Sequence, residues 1–118
     1  MSLAIAILNY NGATLLQRFL PSVLQHSAGA SIYVIDNGST DNSLAVLKTD
    51  FKEVNCIELK KNFGYAEGYN KGVKQIDEDL ICLLNSDVEV TSNWTTAMVT
   101  FFDAHPLAAI AQPKICLL

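Results

Sequence analysis

The sequence predicts a single α/β domain, residues 1–118, with a mainly parallel β-sheet between two layers of helices. Short apolar runs alternate with longer segments whose apolar residues recur every three or four positions. The runs are continuously apolar, which is typical of parallel strands covered on both faces. Half of the residues are hydrophobic and 17% are charged, so the chain can bury a core and is not disordered.

Each predicted strand is one of these apolar runs. The first is LAIAIL, and IYVI, NCIEL, LICLL and AAIA follow in that order. They place strands at residues 3–8, 32–35, 55–59, 80–84 and 108–111. Because helical segments separate the strands, the crossovers between parallel strands should be right-handed.

The predicted helices cover residues 13–26, 42–50, 65–76 and 94–104. The first has apolar residues at helical spacing, but Pro21 lies inside the pattern, so we expect a kink or a restart there. Polar residues 39–41 (Ser-Thr-Asp) precede the second helix, and any of them could cap it. Ser92 or Asn93 is expected to cap the last helix.

Charge and hydropathy exclude several classes of protein. The net charge of −4 gives no general attraction for nucleic acid or anionic membranes. No apolar stretch approaches the roughly 18 residues of a membrane span. The start, MSLAIAIL, has neither a basic region nor a cleavage site, so it is predicted to be a strand rather than a signal peptide. We expect a cytoplasmic protein, or one peripheral to the inner face of the membrane in its full-length form.

The cysteines and the end of the chain support two further expectations. Cys56, Cys82 and Cys116 lie far apart in apolar surroundings, without CxxC or Cys/His spacing, and are predicted to be buried small hydrophobic residues. The chain ends on ICLL without a polar cap, which predicts that it is part of a longer protein. Such a tail could also pair with a second copy, so a homo-oligomer is an open alternative.

Polar segments follow the first four predicted strands, at residues 9–11, 36–39, 60–64 and 85–87. In open α/β sheets, ligands bind beyond the carboxyl ends of the strands, where the strand order reverses. Because parallel strands end at the same edge of a sheet, we expect the four segments to gather there as a ligand site.

The segment VIDNGSTDNS, residues 34–43, is a strand-to-helix turn that contains a carboxylate at the strand end. A tight turn with a helix cap accounts for some of its residues, and Gly38 permits a backbone conformation that a side chain would hinder. A turn does not require Asp36, whose carboxylate could accept hydrogen bonds from a base N–H or a ribose hydroxyl. Asp41 fits capping and ligand binding equally well.

The segment NFGYAEGYNKGV, residues 62–73, places Gly64, Gly68 and Gly72 along one helix face. A glycine inside a helix costs about 1 kcal/mol relative to alanine, so either a ligand or a tightly packed neighbour should approach this face. The segment contains neither Gly-Lys-Ser/Thr nor GxGxxG, which excludes a P-loop and a dinucleotide fingerprint. Asn62 and Asn70 could orient a ligand or act as caps and bridges.

The trio Asn85-Ser86-Asp87 follows the apolar run LICLL and has the composition of an ordinary turn. It could also hold a metal, because Mg²⁺ needs only one or two carboxylates when it keeps its waters and binds substrate phosphates. Asp87 would then bind Mg²⁺ or Mn²⁺ on a diphosphate, where the metal neutralises developing charge.

Together, AIAILNYNG, VIDNGSTDNS, NFGYAEGYNKGV and LLNSDVEV resemble, in order and spacing, the nucleotide-sugar-binding half of family 2 glycosyltransferases. The resemblance runs from Ala4 to about Lys114 and is nearest to bacterial rhamnosyltransferase-like members. It implies a truncated GT-A fold, a Rossmann-like three-layer α/β/α sandwich. It also implies inverting transfer of a sugar from a UDP or dTDP donor to a hydroxyl of a carbohydrate or lipid-linked acceptor, in bacterial cell-surface polysaccharide biosynthesis.

The resemblance also assigns roles to residues of the four segments. Residues 9–11 match the loop that lines the base and ribose, with Tyr10 as the ring that packs on the base. Asp36 matches the acid that contacts uracil or ribose, residues 62–64 fall near the diphosphate and sugar, and Asp87 has the metal position of the DxD-like motif. The expected substrate-binding residues are Asn9, Tyr10, Asn11, Asp36, Asn37, Ser39, Asn62, Gly64, Asn70, Asn85 and Ser86, and the expected metal ligand is Asp87.

The chain departs from the family pattern at two points. Many members have an acid where this chain has Asn85, which leaves Asp87 as the main anchor for a metal. The family's catalytic base belongs to the part after this chain, and nothing marks Glu89 or Asp103 as a replacement. We therefore assign no catalytic residue, and we expect the chain alone to bind donor weakly and to transfer little or nothing.

Two other classes of protein remain as alternatives. A nucleotidyltransferase has a related nucleotide-binding fold but typically carries a basic glycine-rich loop after the first strand, and residues 9–13 contain no Lys or Arg. A receiver-like binding module has two acids after its first strand, and this chain has none there. Both absences favour the glycosyltransferase hypothesis, with the nucleotidyltransferase as the stronger alternative.

Overall fold

The computed structural model describes residues 1–114, which form four strands and four helices in strict alternation. The strands are β1 (Leu3–Asn9), β2 (Ser31–Asp36), β3 (Asn55–Glu58) and β4 (Leu80–Leu84). The helices are α1 (Ala13–His26), α2 (Ser43–Asp50), α3 (Tyr65–Val73) and α4 (Trp94–Ala104). The first four predicted strands and all four predicted helices are therefore present, with ends that differ by up to three residues.

The four strands form one parallel sheet in the order β3-β2-β1-β4. β2 lies beside β1, β3 lies beyond β2, and β4 lies on the other side of β1. The strand order therefore reverses between β1 and β4. Ligands of open α/β sheets bind at such a reversal, and we call the carboxyl-end region between these two strands the crevice. The predicted parallel sheet is confirmed.

Helices cover both faces of the sheet, because alternate residues of each strand point to opposite sides. Ile5 and Ile7 of β1 belong to a core cluster that includes buried residues of α1 and α2, with Trp94 of α4 packed against it. Ala4 and Ala6 belong to a second cluster with Tyr69 of α3. The predicted three-layer α/β/α arrangement is confirmed, with α3 on one face and α1 and α2 on the other.

The helix ends differ from the predictions. Helix α1 runs through Pro21 as one element, so the expected restart is absent. Asn42 and Asn93 hold the N-cap positions of α2 and α4, and neither side chain caps its helix. For α4, the predicted residue Asn93 is at the N-cap position with a left-handed backbone but makes no cap hydrogen bond, and the Ser92 hydroxyl faces the His26 ring at 3.5 Å.

The predicted fifth strand, residues 108–111, is wrong. These residues form no strand, and the segment is exposed, with Ile110 at 89% and the preceding Leu107 at 99%. A short apolar run does not by itself distinguish a strand from a loop, and alanine favours strands weakly. This run therefore lacks both the β propensity and the pairing that would make it a strand.

Cys56 and Cys82 are half-buried, and burial raises the pKa of each thiol to about 11. Both thiols are therefore protonated at neutral pH, as expected of small apolar residues rather than nucleophiles. Cys116 lies outside the described residues. Within residues 1–114, none of the helices has the length and apolar character needed to cross a membrane.

Candidate functional site

The carboxyl ends of the four strands lie at one edge of the parallel sheet, so the four polar segments gather there as predicted. Hydrogen bonds join three of the segments directly. The segment after β1 contacts the segment after β2, which in turn contacts the segment after β3. The segment after β4 follows the strand on the other side of the crevice, and its Asn85 accepts a hydrogen bond from Tyr65 of α3.

The carboxylate of Asp36, only 1% exposed, ties β1 to the turn after β2. Its Oδ1 accepts hydrogen bonds from Asn9 Nδ2 at 3.0 Å and Ser39 Oγ at 2.7 Å, and its Oδ2 accepts from the Ser39 backbone N–H at 3.0 Å. A carboxylate oxygen can accept two hydrogen bonds, so Oδ2 retains one free position. Asp36 thus has an internal structural role, and its contact with a ligand stays a prediction.

Asn9 is also buried, and its Oδ1 has no hydrogen-bond partner among the described residues. A Cβ added at Gly12 would lie 2.5 Å from this oxygen, so the absence of a side chain at Gly12 makes room for it. The opposite amide orientation would place two acceptor oxygens, of Asn9 and Asp36, against each other. The Asp36 carboxylate therefore fixes which way the Asn9 amide points.

Asn11 clamps the loop after β1 to the loop after β2. Its backbone φ is 51°, a left-handed conformation that asparagine tolerates better than most residues. Its Oδ1 accepts from the backbone N–H groups of Thr40 at 2.7 Å and Asp41 at 3.1 Å, and its own N–H donates to Ser39 Oγ at 2.9 Å. The adjacent Tyr10 is 48% exposed, so its ring is accessible for stacking.

Asp41 joins the first turns of α1 and α2, which supports the capping alternative. Its Oδ2 accepts from the Ala13 backbone N–H at 3.2 Å, and its Oδ1 accepts from the Ser43 N–H at 2.9 Å and the Ser43 hydroxyl. Partial burial acts to raise the pKa of Asp41, but the hydrogen bonds from Ser43 and Ala13 together hold that pKa below its ordinary value.

Asn37 connects the turn after β2 to the loop between β3 and α3. The side chain is 2% exposed, and its Nδ2 donates to Asn62 Oδ1 at 3.1 Å and to the Gly64 carbonyl at 3.0 Å. Its Oδ1 accepts from the Phe63 N–H at 3.0 Å. Gly38 beside it has φ 75°, and an added Cβ would lie 2.6 Å from the Lys61 backbone. The two loops therefore pack directly against each other.

Residues of β2 and of the turn after it approach the face of α3 that carries Gly68 and Gly72. A Cβ added at Gly68 would lie 2.9 Å from Asn37 Nδ2, and one at Gly72 would overlap the Ile35 side chain. These two glycines allow close packing of α3 on the sheet. Gly64 instead has φ 82° with open space around it, just before α3 begins. Asn70 is exposed on α3, and no hydrogen bond within residues 1–114 joins it to the other predicted site residues.

The trio at the end of β4 is accessible to solvent. Asn85 and Asp87 are exposed, and Asn85 Oδ1 accepts from the Tyr65 hydroxyl at 3.4 Å. Residues 1–114 contain no cluster of three or more His, Cys, Asp or Glu side chains that could hold a metal. One carboxylate beside neutral oxygens fits Mg²⁺ or Mn²⁺ only where water and a diphosphate supply the other ligands.

Tyr69 is a component of this edge that the sequence patterns did not single out. It is 4% exposed, and its hydroxyl accepts from the Leu8 N–H at 3.3 Å and donates to the Leu84 carbonyl at 3.2 Å. Burial raises the pKa of Tyr69 to about 12. The available signal was its position between Gly68 and Gly72, since a tyrosine on a close-packed face usually finds a partner for its hydroxyl.

The two acids near the end of the chain stay outside this cluster. Asp103 lies 3.6 Å from the amino group of Met1, which precedes β1, so it is at the opposite end of the sheet from Asn9. Glu89 is exposed beyond β4, and no hydrogen bond or ion pair within residues 1–114 joins it to the cluster. The structure therefore gives no reason to assign either residue a catalytic role.

Comparison with known proteins relates this arrangement to sugar-transferring enzymes. Residues 4–116 match the model of glycosyl transferase family 2. An uncharacterized glycosyltransferase of Nostoc sp. (strain PCC 7120) is 33% identical over 92 residues, covering 74% of this chain and 28% of that protein. The undecaprenyl-phosphate 4-deoxy-4-formamido-L-arabinose transferase of Proteus mirabilis is 30% identical over 79 residues, covering 64% of this chain and 24% of that protein. The chain thus spans about a quarter of the length of these relatives.

Solved structures share the fold at lower identity. S. aureus TarS residues 1–349 in complex with UDP-GlcNAc aligns with a TM-score of 0.78 and 20% identity, covering 90% of this chain and 32% of that one. The mannosyltransferase PcManGT of Pyrobaculum calidifontis, in complex with GDP-Man and Mn²⁺, aligns with a TM-score of 0.75 and 17% identity, covering 88% and 32%. The α/β sheet is the N-terminal part of a GT-A-like fold, and the chain belongs to glycosyl transferase family 2.

Proposed function

We propose that this chain binds the donor of an inverting glycosyltransferase that uses a UDP or dTDP sugar. The observation that carries the proposal is the gathering of polar residues beside the crevice between β1 and β4. Ligands of open α/β sheets bind at this reversal of strand order. TarS with UDP-GlcNAc and PcManGT with GDP-Man provide two proteins of the same fold that hold nucleotide sugars.

The nucleoside is proposed to bind on the β1–β2 side of the crevice. Tyr10 presents an exposed ring on which a base can stack. The loops that carry Tyr10 are already held by Asn11, Asp36 and Ser39, so little ordering remains to be done on binding. The free position on Asp36 Oδ2 is the acceptor that a base N–H or ribose hydroxyl would use.

The diphosphate is proposed to bind on the β4 side, near Asp87. With Mg²⁺ or Mn²⁺ bound, the metal would offset the charge that develops on the departing diphosphate. Asp87 would hold the cation, while Asn85 and Ser86 would contact the donor through neutral oxygens or the backbone. Asn62 and Gly64 would border the sugar and diphosphate from the β3 side, and Asn70 stays a weaker candidate because it lies apart from the cluster.

The transfer step requires more than these residues supply. In an inverting transfer, the acceptor hydroxyl attacks the sugar from the face opposite the diphosphate, and a base positioned there removes its proton. We assign no residue of this chain to that role and propose that the chain alone transfers little or nothing. The acceptor is proposed to be a carbohydrate or a lipid-linked molecule in cell-surface polysaccharide synthesis, reached from the cytoplasmic face of the membrane.

Isothermal titration calorimetry of the chain with UDP, with and without Mn²⁺, tests the proposal. We expect weak binding that Mn²⁺ strengthens about tenfold, which corresponds to about 1.4 kcal/mol. Asp87→Asn should remove the strengthening by Mn²⁺, and Glu89→Gln, a matched change at an exposed acid two residues away, should not. Absence of UDP binding to the wild-type chain, or equal behaviour of the two variants, contradicts the proposal.

A further inference from the structure

Tyr69 connects three elements at the point where the crevice begins. The β1–β4 ladder runs from the pair Leu3 and Leu80 to the pair Ile7 and Leu84. At the end of this ladder, the hydroxyl of Tyr69 contacts one backbone group on each strand, the Leu8 N–H and the Leu84 carbonyl. The side chain comes from α3, so a single hydroxyl links this helix to both strands that border the crevice.

The hydroxyl is suited to this place because it can donate and accept at the same time. The ring is 4% exposed, and burial raises the pKa of Tyr69 to about 12, so the group stays protonated and can donate at physiological pH. Glycines on either side of Tyr69 let α3 approach the sheet closely enough for the contact. The position therefore depends on the local sequence Gly-Tyr-x-x-Gly.

The contact extends toward the trio at the end of β4. The Tyr69 ring packs edge-to-face on the Tyr65 ring, with centroids 5.1 Å apart and planes at 74°. The Tyr65 hydroxyl donates to Asn85 Oδ1 at 3.4 Å, and Leu84, which accepts from Tyr69, immediately precedes Asn85. The end of β4 and the trio are thus attached to α3 at two points, the Leu84 carbonyl and the Asn85 side chain.

We propose that Tyr69 is a positioning residue that sets the separation of the two sides of the donor site. Its hydroxyl fixes the carboxyl end of β4 relative to that of β1, so Asp87 is held at the distance from the nucleoside side that a diphosphate spans. This inference rests on the proposed function for its ligand, and on the hydrogen bonds of Tyr69 for its geometry. It predicts that loss of the hydroxyl affects the diphosphate side and spares the nucleoside side.

The variant Tyr69→Phe tests this, because it removes the hydroxyl and keeps the ring. Tyr33→Phe is the matched control, since the Tyr33 hydroxyl on the same face of the sheet donates to Glu78 at 2.9 Å, away from the crevice. In calorimetry with UDP and Mn²⁺, Tyr69→Phe should weaken binding about fivefold, the effect of one hydrogen bond, while UMP binding changes less than about twofold. Tyr33→Phe should change neither affinity.

A second measurement needs no nucleotide. Backbone ¹⁵N relaxation of the free chain should give lower order parameters at residues 85–87 in Tyr69→Phe than in wild type, and unchanged values at residues 36–39. Unchanged order parameters at residues 85–87, or equal weakening of UMP and UDP binding, would overturn the proposal. If wild-type chain binds no UDP while residues 85–87 still loosen in Tyr69→Phe, the positioning contact stands and the donor-binding proposal fails.

Discussion

The two sides of the sheet's carboxyl edge are built in different ways. On the β1–β2 side, Asn9, Asp36 and Asn37 are at most 2% exposed and hydrogen-bond from one loop to the next. On the β4 side, Asn85 and Asp87 are exposed, and within residues 1–114 the Asn85 side chain is held by one long contact from Tyr65. The polar groups of the first side bind each other, whereas those of the second are available to a ligand.

The difference shows that asparagine and aspartate at a strand end can serve either fold stability or ligand binding. A buried polar group must be hydrogen-bonded, so removing one partner destabilises the fold. An exposed carboxylate contributes little to folding and is free to bind a cation. Substitutions on the β1–β2 side should therefore act mainly on stability, and substitutions on the β4 side mainly on ligand binding.

Asp36→Ala should have the largest effect on folding. It removes the acceptor of three hydrogen bonds, which leaves the Ser39 N–H without its partner and the buried Asn9 amide with only its 3.3 Å contact to the Ser39 hydroxyl. We expect a loss of about 3 kcal/mol or more in the free energy of unfolding, measured by urea denaturation. Asp87→Ala is the control and should change it by less than about 0.5 kcal/mol. Equal losses in the two variants would remove the distinction between the two sides.

Gly38→Ala should be the next most destabilising. It combines a left-handed backbone with a Cβ that would lie 2.6 Å from the Lys61 backbone. Gly64→Ala has a similar φ of 82° with open space around it, so it should lose only the backbone contribution of about 1–2 kcal/mol. The difference in urea denaturation between the variants measures the packing of the β2 turn on the β3–α3 loop. The two losses would be equal if the loops were not in contact.

Asn11→Ala tests the clamp between the first two loops. It removes an oxygen that accepts from the Thr40 and Asp41 N–H groups, and alanine is less tolerant of φ 51° than asparagine. We expect a loss of about 1–2 kcal/mol in thermal or urea unfolding. An additional loss of UMP affinity would follow from movement of Tyr10. Wild-type stability in this variant would show that the clamp contributes nothing.

Asp41 should have the smallest effect on the free energy of unfolding, and the effect should depend on pH. The pKa of Asp41 in the folded chain lies below its ordinary value of 3.8, because hydrogen bonds from Ser43 and Ala13 outweigh the opposing effect of burial. A depressed folded pKa contributes stability above the unfolded pKa and loses it as pH falls through the folded pKa. The stability difference between wild type and Asp41→Asn should therefore be constant near pH 6 and shrink below pH 3.8. A difference that grows on acidification would contradict this sign.

The sequence allowed the order of elements and the location of the site to be predicted from local patterns. Apolar runs identified the first four strands, and the alternation of strands with helices predicted a parallel sheet whose carboxyl edge collects the polar segments. The strand predicted from the AAIA run was wrong, because apolar composition alone does not supply a neighbouring strand to pair with. Of the kink or restart expected at Pro21, the restart is absent, since α1 is one helix from Ala13 to His26.

Individual roles at the site depended on contacts between distant residues. Asn9 and Asp36 are 27 residues apart, and Tyr69 is 61 residues from Leu8, so no local pattern shows that these groups meet. The same carboxylate at a strand end is compatible with a ligand contact and with an internal hydrogen-bond acceptor. Only the arrangement of donors around Asp36 revealed its internal role, and only the fold placed Tyr69 between two strands.

NMR titration of the chain, with amide shifts followed residue by residue, tests the division of the edge most directly. UMP alone should shift residues 9–11 and 36–39, and residues 85–87 should respond only when UDP and Mg²⁺ are both present. The account predicts this two-step response, with Asp87→Asn abolishing the second step and preserving the first. Shifts confined to other faces of the chain, or a response of residues 85–87 to UMP without metal, would contradict it.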